Sequence, residues 1–116
     1  MSDLVPGGPA DPEDTKIITL AAAARARTQA NQGACLRDTD GRTYAGTSID
    51  LPHLRLTAVQ VVVAMAVSSG AQRAEAVAVA GAEPETPADR DVLGDLDCPV
   101  VWRAGGRGEP IGSLTR

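Results

Sequence analysis

The segment Leu56–Gly70, LTAVQVVVAMAVSSG, constrains the fold more than any other part of the chain. Thr57 is a suitable N-cap and Gly70 a suitable stop, so the segment predicts a helix over 58–69. Gln60 alone interrupts an otherwise apolar circumference. A helix apolar nearly all round needs cover on several sides, as in a layer of an α/β domain or at a subunit contact. Its apolar run, around Val59–Val67, is too short to cross a bilayer, which takes about 20 residues.

The remaining elements fall around this helix. Asp11 as N-cap, Pro12 in the first turn, and Glu13 and Asp14 against the dipole predict a helix reaching about Gln29. Ile17, Leu20, Ala21 and Ala24 are expected on its buried face. GACLRD and RTYAGTSID, joined by Thr39-Asp40-Gly41, read as a β-hairpin. Glu75–Ala80, EAVAVA, reads as a buried strand. Thr86-Pro87-Ala88-Asp89 resembles a capping box and opens a third helix to about Leu96. Pro99–Arg103 reads as another strand, Gly105–Gly108 as a turn, and Pro110–Leu114 as an edge strand. The resulting order, α-β-β-α-β-α-β with a last β, predicts an α/β fold. Its expected form is three layers, with a mixed sheet of four to five strands that starts with a hairpin and has helices on both faces. Residues 1–10, rich in Pro and Gly, are expected to form a flexible arm, and 11–116 a single domain.

Composition removes several classes of function. The chain has 116 residues, no Phe, one Trp and one Tyr. The core must therefore be built from small aliphatic side chains, and little aromatic surface is on offer to a ligand. A formal net charge of −4 lacks the basic field that nucleic-acid backbones require. Cys35 and Cys98 form no CxxC or Cys/His cluster, and are expected as reduced, buried thiols in a cytoplasmic protein. There is no basic-then-apolar start of the signal-peptide kind.

His53 is the only histidine, so a multi-histidine metal site and a His-based triad are both unsupported. Gly105-Gly106-Arg107-Gly108 lacks the spacing of a phosphate loop and reads as a surface turn. Asp89, Asp91, Asp95 and Asp97 do not share one helix face and read as solvated surface.

From about Asp11 to Trp102 the order and landmark residues resemble the small cytidine deaminases of nucleoside salvage. The strand, Asp-Gly turn and second strand of that family correspond to Gln32–Asp50. The family's next helix begins Cys-Ala-Glu-Arg and ends Ala-x-Ser-x-Gly, which corresponds to Thr57–Gly70. Its Ser-Pro-Cys-Gly-Ala-Cys-Arg-Gln-Val-Leu segment corresponds to Thr86–Leu93. The resemblance implies a cytidine deaminase-like fold and an oligomeric state. For the family it implies zinc held by three Cys or His ligands, beside a glutamate that moves the proton.

Those diagnostic residues are replaced. Thr57 stands at the first cysteine, Val59 at the glutamate and Ala88 at the second cysteine, while the third falls on Asp89 or a gap. No zinc cofactor and no catalytic residue are therefore expected. The family's ribose-binding Asn and Glu match Ser48 and Asp50. With His53, at the expected pocket mouth, these are the candidate ligand residues, although strand ends and loops account for them equally. The expected function is a catalytically inactive, self-associating structural or interaction protein. The alternatives are a nucleoside- or nucleotide-binding module, or an active zinc-dependent deaminase that the replaced motifs disfavour. The expected partners are a further copy of the chain and a nucleoside, with no nucleic acid and no membrane.

Overall fold

The computed structural model describes residues 4–115. In chain order the elements are β1 (Val5–Pro6), α1 (Pro12–Thr28), β2 (Gln32–Asp38), β3 (Thr43–Thr47), β4 (Ile49–Asp50) and β5 (Arg55–Leu56). They continue with α2 (Ala58–Ser68), β6 (Ala74–Gly81), α3 (Pro87–Gly94), β7 (Val100–Ala104) and β8 (Pro110–Thr115). Six strands form one sheet in the order β1-β8-β7-β6-β2-β3. Only β6 and β7 run parallel; the other neighbours are antiparallel.

The mixed sheet with helices on both faces is the architecture expected, with six strands rather than four to five. The added strand comes from Val5 and Pro6, inside the segment read as an arm, which pair with Ser113 and Gly112 of β8. Strand β8 is therefore not an edge, as its position in the sequence had suggested.

The sequence AVAVA in β6 sorts its side chains by strand alternation. Ala76, Ala78 and Ala80 face α1, together with Ile17, Ile18, Ala21 and Cys35. Val77 and Val79 face α2 and α3, together with Leu36, Val62, Leu93 and Val101. Such small residues let α1 lie almost on the sheet backbone. Helix α1 buries Ile17, Ile18, Ala21 and Ala24, with Leu20 only partly covered.

The hairpin turn is held by one buried carboxylate. Asp38 accepts from the backbone N–H of Asp40 at 2.9 Å and of Arg42 at 3.0 Å, and from the Tyr44 hydroxyl at 2.9 Å. Gly41 supplies the left-handed residue at φ 86°. The second strand ends sooner than expected. Ser48 N–H donates to the Gln32 carbonyl and its hydroxyl accepts from Gln32 N–H at 3.3 Å. The β2–β3 ladder ends at this contact with Gln32, sixteen residues earlier in the chain. The chain then turns into the two-residue ribbon β4–β5, which leads to α2.

Helix α2 has the predicted Thr57 cap, and its buried face is Ala58, Val59, Val62, Val63 and Ala66. Its opposite side is not covered, and Met65 and Val67 stand 38% and 51% exposed. Among the described residues no helix is long and apolar enough to cross a membrane. Both cysteines are buried.

Candidate functional site

The start of α2, the β4–β5 ribbon and the first residue of β2 enclose an open cleft of about 300 Å³. Gln32, Ser48, Asp50, Thr57, Gln60 and Glu83 are among its lining residues. The Gln32 carboxamide spans the floor and donates to the carbonyls of Glu83 at 3.0 Å and Pro84 at 3.1 Å. Ser48 reaches the wall but spends its hydroxyl on the Gln32 backbone. Asp50 pairs with Arg55 at 3.1 Å, with side chains 89% and 76% exposed. An ion pair so exposed contributes little to stability and leaves both charges open to a partner.

Thr57 forms the back of the cleft. Its hydroxyl donates to Asp89 Oδ1 at 2.6 Å and accepts from Gln60 N–H at 3.1 Å. The other carboxylate oxygen of Asp89 accepts from Thr86 N–H at 3.0 Å. Asp89 is fully buried, which corrects its reading as part of a solvated acidic surface. It lies four residues before Leu93, and the two share the buried stripe of α3. Ala88, the neighbour aligned with a ligand position, is exposed on the other side of the helix.

The structure therefore joins Ser48, Asp50 and Thr57 in one cleft. His53 does not line that cleft; it is exposed in the turn between β4 and β5. Val59 is sealed in the core with no exposed surface. The sequence reading missed Gln32, Gln60 and Glu83 as lining groups, and the role of Asp89. The capping-box pattern Thr86–Asp89 and the i, i+4 spacing of Asp89 and Leu93 were the available signals for the latter.

The profile of the family described as cytidine deaminase-like matches residues 10–108. The chain belongs to the cytidine deaminase-like family. Solved structures agree in fold. The cytidine deaminase of Burkholderia pseudomallei is 24% identical, with a TM-score of 0.71, over 82% of this chain and 87% of that one. The cytidine deaminase of Mycobacterium tuberculosis is 22% identical, with a TM-score of 0.67, over 88% and 91%. That of Mycobacterium leprae is 20% identical, with a TM-score of 0.65, over 86% and 90%. No curated protein matches the chain by sequence.

The donors present do not fit the zinc that the family resemblance implies. Zinc takes thiolate, imidazole or carboxylate ligands, usually three from the protein at a catalytic site. Where the cysteines are expected stand Thr57 and Ala88, with Asp89 or a gap at the third position, and the Thr57 hydroxyl is already bonded to Asp89. Among the described residues no three His, Cys, Asp or Glu side chains gather to hold a metal ion. The thiols lie elsewhere. Cys35 packs on the α1 side of the sheet, where burial pushes it up to about 11. Cys98 is in the opposite core layer. None of the aligned Thr57, Val59 and Ala88 side chains is a thiol, imidazole or carboxylate.

Proposed function

We propose that this chain is a catalytically inactive member of the cytidine deaminase-like family, acting as a structural or interaction protein that self-associates. The observation carrying this reading is the fate of two positions. Thr57 is committed to Asp89, and Val59, in the place of the proton-moving glutamate, is closed inside the core. Neither side chain performs acid–base chemistry at neutral pH. The uncovered apolar side of α2, with Met65 and Val67, supports self-association. The buried, reduced thiols suit the cytoplasm. The test is incubation of zinc-supplemented protein with cytidine and deoxycytidine, read as ammonia released. No turnover is expected, and turnover abolished by a chelator would overturn the proposal. Light scattering at micromolar concentration should give a dimer or larger, and a clean monomer refutes that part.

A second reading, a nucleoside- or nucleotide-binding module, draws support from the cleft lined by Ser48 and Asp50, with His53 on the neighbouring turn. Binding needs only shape and hydrogen bonds. It predicts a rise in melting temperature with millimolar nucleoside that is lost in Ser48→Ala. No shift with any pyrimidine or purine nucleoside removes it.

A further inference from the structure

Each helix bordering the Thr57–Asp89 contact opens with a capping box. In α2, Thr57 Oγ1 accepts from Gln60 N–H while Gln60 Oε1 accepts from Thr57 N–H at 2.9 Å. In α3, Thr86 Oγ1 accepts from Asp89 N–H at 3.0 Å while Asp89 Oδ2 accepts from Thr86 N–H. A capping box normally satisfies the start of its own helix and goes no further. Here the remaining oxygen of Asp89 accepts a hydrogen bond from the Thr57 hydroxyl at 2.6 Å across 32 residues of sequence. The two boxes become one network, Gln60–Thr57–Asp89–Thr86.

The carboxylate at its centre is fully buried. A buried carboxylate is costly unless hydrogen-bonded, and Asp89 is bonded from both helices while lying in the positively polarised first turn of α3. The short 2.6 Å contact is typical of a hydroxyl donating to a charged oxygen. Thr57 stands where the family resemblance places one metal ligand, and Asp89 follows Ala88, which is aligned with another.

We infer that the Thr57–Asp89 bond is a metal-free cross-link that holds the start of α2 against the start of α3. It supplies structurally what a shared metal would supply, with no metal bound. The inference rests on this contact and on the chain's family, so a failure to self-associate leaves it standing. The competing account is that apolar packing alone joins the helices and the bond is incidental.

A double-mutant cycle separates the two, with melting temperatures read in metal-free buffer. Thr57→Val keeps the side-chain shape and removes the hydroxyl. It and Asp89→Ala should each lower the melting temperature by about 5–10 °C. The double variant should fall by clearly less than the sum of the two single losses, because both delete the shared bond, while the Gln60 cap and the Thr86 bond are each lost once. Thr57→Ser, which retains the hydroxyl, should stay within about 2 °C of the parent. A chelator should not lower the parent's melting temperature, nor zinc raise it.

If Asp89→Ala does not fold, Asp89→Asn, which keeps an acceptor for Thr57, takes its place with a smaller loss. Amide exchange gives an independent readout. In Thr57→Val the first turn of α3 should exchange faster, although no residue of α3 has changed. Additive losses, an unchanged Thr57→Val, unaltered exchange in α3, or a parent that chelators destabilise would each overturn the inference.

Discussion

Gly33→Ala tests how closely α1 lies on the sheet. Gly33 is in β2, and a Cβ there would run into the Ala21 carbonyl oxygen of α1. It would also stand 2.9 Å from Arg25 Cβ and 3.0 Å from Arg25 N. Two effects oppose. Alanine narrows the unfolded ensemble, worth about 0.4–1 kcal/mol in favour of folding. Overpacking a filled interior costs about 1–3 kcal/mol. The obstructing atoms are mostly helix backbone, which cannot swing aside, so the upper end of that cost applies and α1 must lift from β2. The net loss is about 2 kcal/mol, or about 6–10 °C in melting temperature.

Gly46→Ala is the control. Its nearest neighbours are side-chain ends, Val61 Cγ1 at 2.7 Å and Met65 Sδ at 3.4 Å. These can rotate, so the loss should be smaller, about 1 kcal/mol. Circular dichroism and the fluorescence of Trp102 follow both melts. A Gly33→Ala variant within about 1 °C of the parent, or one more stable than Gly46→Ala, refutes the close-packing argument.

Three further outcomes follow from buried polar groups. Burial raises the Asp38 carboxyl, but hydrogen bonds from Tyr44, Arg42 and Asp40 outweigh it and leave it below its usual value of 3.8. Its stabilising contribution is therefore complete above the unfolded carboxylate value and lost as pH falls through the lowered folded one. Asp38→Asn should flatten the decline in urea midpoint below about pH 4. Glu85, with no exposed side-chain surface, holds Arg103 at 2.8 Å and Arg90 at 3.3 Å. Glu85→Ala removes the carboxylate that holds Arg103 and should cost about 2–3 kcal/mol by denaturant unfolding. The Cys35 thiol, raised to about 11 by burial, should resist iodoacetamide at pH 8 in the native protein and react once urea unfolds it. Rapid native labelling at that residue would contradict its placement.

Much of the fold was legible because local chemistry decided it. Asp11-Pro12 starts α1, Asp40-Gly41 turns the hairpin, and Thr57 caps α2 where the sequence predicted. The apolar run in EAVAVA indicated a buried strand. Less legible were features set by distant partners. Nothing near Val5 signals that it pairs with Ser113, and the break at Ser48 depends on Gln32, sixteen residues earlier. The candidate site was partly legible: Thr57, Ser48 and Asp50 were named and share the cleft. Asp89 was misread because four nearby aspartates suggest a solvated face, while its inward turn depends on a threonine in another helix. Residue type spoke for water, and position within α3 spoke for the core.

The two residues of β1 also bear on how copies of this chain can meet. Strand β8 would otherwise present a row of unpaired backbone donors and acceptors, a template onto which another molecule's strand could add. Val5 and Pro6 occupy part of that row, and Pro6 brings no N–H of its own to the new margin. A stub of chain thus serves as a stopper on one side of the sheet. It blocks strand-by-strand addition at that margin, while β3 forms the other edge of the sheet.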